Sequence, residues 1–102
     1  ERVITSVDDE PAEVPEEFAL EQNFPNPFNP STTISFAIPQ AADVTLEVYN
    51  TLGRRVAVVA NSKFSAGRHA VQFDASTLSS GLYLYRIRAG SFVQTRKMML
   101  IK

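Results

Sequence analysis

Apolar and polar side chains alternate through most of the chain with a period of two residues. Residues 34–38 and 44–49 show this pattern most clearly, because isoleucine, phenylalanine, valine and leucine occupy every second position in them. A two-residue period puts alternate side chains on opposite faces of a strand, so each segment predicts a half-buried β-strand. No apolar stripe with the period of a helix extends far enough to predict one.

The whole pattern predicts about seven strands, separated by turn residues at the spacing typical of a β-sandwich. The predicted strands cover residues 18–20, 34–38, 44–49, 55–60, 68–74, 82–89 and 91–101. Val56 and Val58 are expected on one face of the fourth strand, and residues 61–66 are expected to form a polar connection. The sixth strand is apolar on both faces at its start, which is typical of a central strand. The predicted fold class is therefore all-β, an immunoglobulin-like antiparallel β-sandwich.

The glycines of the chain mark its predicted turns. Gly53 ends the segment Asn50-Thr51-Leu52-Gly53, where a hairpin loop needs a residue with positive φ. Gly90 is expected to make a tight turn before the last strand. Gly67 and Gly81 follow polar connections and precede the fifth and sixth strands.

A proline-rich segment, residues 23–30, precedes the second predicted strand. Proline fixes its own φ, lacks an N–H group and pushes the preceding residue towards extended geometry, so a stiff segment without helix or ladder is predicted. Phe24 and Phe28 are expected to pack into one end of the sandwich. Direct contact with a receptor is the alternative, and the conformational role is favoured. This structural motif consists of Phe24, Pro25, Asn26, Pro27, Phe28, Asn29 and Pro30.

The last strand is the segment expected to carry the function, and its two faces are both mixed. One face contains Val93, Thr95, Lys97, Met99 and Ile101, and the other contains Phe92, Gln94, Arg96, Met98, Leu100 and Lys102. Two interpretations stay open. A β-bulge near Arg96 and Lys97 switches the faces, or residues 98–101 form an exposed edge that needs a partner.

Charge divides the chain into two parts. Residues 1–22 carry a net charge of −7 and residues 23–102 a net charge of +6. The acidic, proline-containing start predicts a semi-extended linker over residues 1–17 and a folded domain over residues 18–102. Because the chain begins with Glu1, it is interpreted as a piece from the end of a longer protein, with any signal peptide upstream. The bases expected to meet in one patch across a Gly90 hairpin are Arg86, Arg88, Arg96 and Lys97.

Few residues suggest catalysis or metal binding. The chain has no cysteine and one histidine, His69, so a zinc or copper site is not expected. Asp74 is available to orient His69, but no signature of a nucleophile accompanies them. The cluster Asp8-Asp9-Glu10 lacks the glycine turn and spaced oxygens of a calcium loop. We expect a domain that is not an enzyme and has neither a cofactor nor a metal.

Two further classes of partner are not expected. The bases are not interleaved with aromatic residues as in a nucleic-acid-binding module. The apolar runs are far too short for a transmembrane segment.

The order of several motifs is more specific than any of them alone. They are LEQNFPNPFNP at residues 20–30, TTISF at 32–36, VYN at 48–50, LGRRV at 52–56, GRH at 67–69, SGLYLYR at 80–86 and RKMMLIK at 96–102. Together they resemble the C-terminal sorting domain, type A, of the type IX (Por) secretion system. The resemblance covers about residues 18–102.

The resemblance implies a function that composition alone does not. Such domains lie at the C-terminus of proteins exported by Bacteroidetes-like bacteria, are recognised in the periplasm, and direct the passenger across the outer membrane. A surface sortase of the cysteine-protease type then removes the domain, here within residues 1–17, and joins the passenger to an anionic lipopolysaccharide. The resemblance and the position of the strand assign recognition to Gly90, Arg96, Lys97, Met98, Met99, Leu100, Ile101 and Lys102. Addition of the last strand to a receptor sheet is the mode of recognition that its mixed faces suggest.

Two other functions remain open at this point. The domain is alternatively a carbohydrate- or cell-surface-binding module of an exported enzyme. Exposed and coplanar rings of Tyr49, Tyr83 and Tyr85 would favour this function, and burial of these rings would count against it. It is otherwise a spacer or a stabilising cap for its passenger.

Overall fold

The computed structural model describes residues 14–102, which form seven β-strands in two antiparallel sheets. The strands are β1 (Ala19–Leu20), β2 (Ser31–Ile38), β3 (Ala42–Tyr49), β4 (Arg55–Phe64), β5 (Gly67–Asp74), β6 (Gly81–Ala89) and β7 (Phe92–Leu100). One sheet has the order β1-β2-β5 and the other β4-β3-β6-β7. The predicted antiparallel sandwich of seven strands is confirmed. Residues 1–13 of the predicted linker lie outside the described residues.

The core lies between the two sheets and is built from the alternate positions that the sequence pattern predicts. The inward apolar side chains of β2 and β3 are at most 1% exposed: Ile34, Phe36, Ile38, Val44, Leu46 and Val48. Burying one such side chain stabilises the fold by roughly 1.5–3 kcal/mol. The strand β6 lies between β3 and β7, which confirms its prediction as a central strand.

The strand β4 differs from its prediction in length and in facing. It continues to Phe64, so the first four residues of the expected polar connection belong to the strand. Its pairing with β3 shifts register twice, between Leu46 and Glu47 and again between Val48 and Tyr49. Each shift adds a residue and changes which side chains face inward. Val56 therefore packs against the core, whereas Val58 lies opposite Glu47 and is 49% exposed, so the prediction of one shared face is wrong.

Two glycine turns fix the hairpins of the four-stranded sheet. Gly53 has a φ of 85°, and the Asn50 side chain accepts hydrogen bonds from the N–H groups of Leu52 and Arg54 in the same turn. Gly90 has a φ of 61°, and the turn between β6 and β7 consists only of Gly90 and Ser91. A two-residue hairpin with glycine first is typical of a type II′ turn, which an L-residue enters only with strain.

The two phenylalanines of the proline-rich segment separate in the structure. Phe28 is 2% exposed and packs in the core, with its ring centroid 6.4 Å from that of Phe73. Phe24 is 79% exposed, so the prediction that it packs into the sandwich is wrong. Its N–H and C=O groups pair with those of Thr33 at 3.0 and 2.9 Å. Directly paired residues of antiparallel strands share a face, and Thr33 faces away from the core, so Phe24 does too.

Substitutions of these two aromatics are expected to differ sharply in cost. Phe28→Ala should lower the free energy of unfolding by about 3–5 kcal/mol, because it leaves a cavity between the sheets. Phe24→Ala, its matched control, should change it by no more than about 0.5 kcal/mol. Urea unfolding followed by circular dichroism measures both values, and equal costs would contradict this account of the segment.

Candidate functional site

The strand β7 keeps one regular register along its whole length. It pairs with β6 from Gly81 opposite Leu100 to Ala89 opposite Phe92 without any shift. The bulge considered near Arg96 and Lys97 is therefore absent. The inward set is Phe92, Gln94, Arg96, Met98 and Leu100, and the outward set is Val93, Thr95, Lys97 and Met99.

Polar residues occur on the inward face because the first half of β7 lies at the rim of the sandwich. Here β7 borders the short strand β1 instead of a full sheet. The Phe92 ring stacks on Phe18 with centroids 5.1 Å apart, and the Arg96 guanidinium donates to the Leu20 carbonyl oxygen. The mixed sequence pattern thus follows from a change of neighbours along one strand.

The second half of β7 is covered along its free edge by the proline-rich segment. Three hydrogen bonds join this segment to β7 and the residue after it: Met99 N to Asn26 Oδ1 (3.0 Å), Phe28 N to the Met99 carbonyl (2.9 Å) and Ile101 N to the Phe28 carbonyl (2.9 Å). Gln22, just before the segment, adds a fourth from Nε2 to the Lys97 carbonyl (2.7 Å). The predicted exposed edge at residues 98–101 is therefore wrong. Because Pro25 and Pro27 offer no N–H group, this segment also makes a poor template for another strand.

A cluster of buried polar groups fixes the start of this covering segment. The Tyr85 hydroxyl donates to the Glu21 carbonyl oxygen at 2.7 Å and accepts from the Asn23 N–H at 2.8 Å. The Asn23 side chain donates to Thr32 Oγ1 at 2.9 Å, and Asn23 and Thr32 are each 2% exposed. Burial raises the pKa of Tyr85, so its hydroxyl keeps the proton that it donates. These roles are not predicted from the sequence, although Thr32 lies in phase with the buried Ile34.

The C-terminal residues are divided between the core and the surface. Met98 and Leu100 are at most 1% exposed, whereas Lys97, Met99 and Ile101 are exposed. The last residue is tied to the loop before β6, as Lys102 donates from its backbone N–H to Ser80 Oγ and from Nζ to the Ser76 carbonyl oxygen. Gly90 is exposed at the tip of the β6–β7 hairpin.

The predicted basic patch forms only in part. Arg86, Arg88 and Lys97 lie on the outer face of the four-stranded sheet, while Arg96 is on the inward face of β7 and contacts β1. Alternate residues of a strand face opposite sides, so Arg96 and Lys97 cannot share a patch in a strand without a bulge.

The same outer face contains a hydrogen-bonded network around Glu47. Its carboxylate accepts from the Tyr49 hydroxyl at 2.7 Å and from Arg55 Nη1 at 2.9 Å, and it is 8% exposed. Arg86 lies over the Tyr49 ring, 4.7 Å from its centroid, and donates to its hydroxyl. The hydrogen bonds from Tyr49 and Arg55 lower the pKa of Glu47 more than burial raises it.

The tyrosines form no exposed platform. Tyr83 and Tyr85 are 7% and 0% exposed, and Tyr49 is held by Glu47 and Arg86. Their burial counts against the carbohydrate-binding alternative.

The residues considered for catalysis and metal binding do not come together. His69 Nε2 lies 2.8 Å from the Ser65 carbonyl oxygen, and its ring packs against Phe36 and Phe64. Asp74 instead accepts a hydrogen bond from the Ser76 N–H. Within residues 14–102 no group of three metal-ligating side chains is found, and Asp8-Asp9-Glu10 lies outside the described residues. The described part of the chain has no helix suited to crossing a membrane.

These features define a small β-sandwich domain whose most distinctive surface is its last strand with the segment that covers it. The chain belongs to the family of secretion system C-terminal sorting domains, which it matches over residues 22–102. Domains of this family are C-terminal signals for type IX secretion, so the resemblance noted in the sequence is confirmed at the level of the family. No curated protein matches the chain.

Removing the Tyr85 hydroxyl tests the buried polar cluster. Tyr85→Phe should lower the free energy of unfolding by about 1–3 kcal/mol, because the buried Asn23 N–H loses its acceptor. Tyr83→Phe is the control, since its hydroxyl meets only the Ser79 carbonyl oxygen at 2.7 Å and leaves no buried donor unpaired. Urea unfolding of both variants gives the comparison, and a smaller cost for Tyr85→Phe than for Tyr83→Phe would refute the role of the cluster.

The network at Glu47 predicts a pH dependence of stability. Because the folded state lowers the Glu47 pKa below its ordinary value of 4.5, the unfolded chain binds this proton more readily. The contribution of the carboxylate is complete above that ordinary value and is lost as the pH falls through the lower folded pKa. The difference in unfolding free energy between the native chain and Glu47→Gln should therefore shrink on acidification. A difference that stays constant from about pH 6 to about pH 3 would be inconsistent with the network.

Proposed function

We propose that the type IX machinery recognises this domain in its folded form at the C-terminal end, through Gly90 and residues 96–102. The observation that supports this most is the fixed geometry of that end. Its backbone is hydrogen-bonded to the proline-rich segment, while Lys97, Met99 and Ile101 expose their side chains. A surface that is ordered before binding loses little conformational entropy when a partner binds it.

The candidate recognition residues take two different roles in this proposal. Met98 and Leu100 act through packing, because a receptor cannot reach them without opening the core. Gly90, Lys97, Met99, Ile101 and Lys102 are accessible and supply the contacts. Arg96 positions the strand by its hydrogen bond to β1.

The acidic linker is the proposed site of processing. In this proposal, the folded domain begins at Phe18 and passes through the periplasm with its passenger. A sortase of the cysteine-protease type cleaves within residues 1–17 and attaches the passenger to the cell surface. The acidic and proline-containing composition of this stretch supports the assignment, because proteases cleave exposed, unpaired segments most readily. The order of the motifs supports the type A subclass.

The domain itself has no catalytic role in this proposal. Its one histidine is engaged with the Ser65 carbonyl oxygen and two phenylalanine rings, and it does not meet Asp74. The domain acts as a sorting signal, and such a signal needs a stable surface and no reactive group.

Point substitutions test recognition better than truncation of the last strand. Deleting residues 97–102 is expected to retain a reporter in the periplasm, but it also removes Met98 and Leu100 from the core. The sharper variant of a reporter fused to residues 1–102 is Met99→Ser with Ile101→Ser, which removes apolar side chains that are 37% and 50% exposed. Export of this folded variant should fall by about tenfold, as expected when contact energy of roughly 1.4 kcal/mol is lost.

The matched control removes exposed apolar side chains elsewhere, at Leu52 and Val58. Leu52→Ser with Val58→Ser should leave export unchanged, and circular dichroism should confirm that both variants are folded. Undiminished export of the folded Met99/Ile101 variant would show that the export machinery does not recognise the exposed side chains of this end.

A further inference from the structure

The first half of the β7 edge has backbone groups without a partner among residues 14–102. The N–H groups of Met99 and Ile101 point away from β6, towards the proline-rich segment. Backbone groups of an antiparallel strand alternate in direction, so the N–H and C=O groups of Val93 and Thr95 point the same way. Within residues 14–102, neither of these residues has a hydrogen-bond partner on that side.

The hairpin turn confirms this parity. Ala89 and Phe92 flank the two-residue turn, and such a flanking pair is hydrogen-bonded in a tight hairpin. The backbone groups of Phe92, Gln94 and Arg96 are therefore hydrogen-bonded to β6, and those of Val93 and Thr95 point to the open side.

The open edge has definite ends. Gly90 and Ser91 limit it at the hairpin tip, and Gln22 limits it where its side chain bonds to the Lys97 carbonyl oxygen. The strand β1 does not fill it, since β1 pairs with β2 and meets β7 only through side chains on the inward face. Residues 92–96 thus leave about 15 Å of edge, enough for a short added strand.

The two strands at the open edge carry charge of one sign, although the acids Asp43 and Glu17 lie near the hairpin tip and next to Phe18. The strands β6 and β7 carry the four bases Arg86, Arg88, Arg96 and Lys97 and no acid. On the outer face beside the edge, Arg88 is paired with Val93 and Arg86 with Thr95. Of the two acids on β3, Glu47 is already engaged by Tyr49 and Arg55, and Asp43 is paired in register with Lys63 of β4.

We propose that residues 92–96 form the docking edge of the domain and accept an extended, acidic segment of the export machinery as an added strand. The backbone groups of Val93 and Thr95 supply the hydrogen bonds, and the neighbouring arginines select for acidic side chains. A second copy of this chain is a poorer occupant, because pairing two β7 strands brings basic residues together. This inference rests on the proposed function and adds the mode of binding and the partner's chemistry.

The decisive variant is Thr95→Pro in a reporter fused to residues 1–102. Proline removes the outward N–H of Thr95 and blocks an added strand, yet leaves the hydrogen bonds to β6 intact. Export should fall by about tenfold or more, since a docking hydrogen bond is lost and the approach is obstructed. Thr95→Val keeps the N–H and should be exported like the native fusion.

Gln72→Pro is the matched control for proline at an edge. The Ala75 N–H bonds to Pro30 across the β2–β5 pair, so by alternation the Gln72 N–H points to the free side of β5. This variant should be exported normally. Thermal unfolding checks that both proline variants are folded, and equal loss of export from both would overturn the assignment to the β7 edge.

Charge and self-association are tested separately. Arg88→Gln should reduce export and Arg88→Lys should preserve it, whereas equal export of both would overturn the acidic character of the partner. Sedimentation of the native chain should show a monomer. A dimer that Thr95→Pro dissociates would assign the edge to a second copy instead.

The outcome for this inference is distinguishable from that for the proposed function. A native fusion exported no better than one lacking residues 18–102 would refute the sorting role itself. Domain-dependent export that Thr95→Pro leaves intact would refute the docking edge alone.

Discussion

The hydrogen bonds between the proline-rich segment and β7 are the constraint on which the rest of this structure depends. The two segments are far apart in sequence, and their contact joins the entry to the three-stranded sheet to the last strand of the other sheet. Phe28 strengthens the contact because its backbone pairs with Met99 and Ile101 while its ring fills the core. Phe28 thus covers the edge of β7 with its backbone and completes the hydrophobic core with its side chain.

Two free edges of the sandwich are protected, in different ways. The strand β4 is bulged twice and carries Lys63 and Arg55, and both features discourage pairing with another strand. The second half of β7 is covered by a segment whose prolines cannot continue a ladder. The first half of β7 has no bulge and no proline, and no segment within residues 14–102 covers it. The free side of β5 is open in the same way, so what distinguishes the β7 edge is its place on the C-terminal strand beside Arg86 and Arg88.

Sequence alternation predicted most of the fold because many residues, such as Ile34 and Val44, lie on strands that keep the same neighbouring strand in an unshifted register. It failed where neighbours change. The bulges of β4 reverse the facing of Val58, a backbone pair with Thr33 directs Phe24 outward, and the border with β1 admits Arg96 to the inward face. Each of these depends on a contact with another segment of the chain, which a local two-residue period does not encode.

A sorting signal that is recognised after folding must be stably folded and must also present groups that can still bind a partner. Stability comes here from Met98 and Leu100, which bind the last strand into the core. The groups that a partner could bind are those of Val93 and Thr95, whose outward N–H and C=O have no partner within residues 14–102. Because both sets lie on one uninterrupted strand, unfolding the domain would also destroy the docking edge. In the proposed mode of docking, the export machinery therefore accepts only passengers whose sorting domain has already folded.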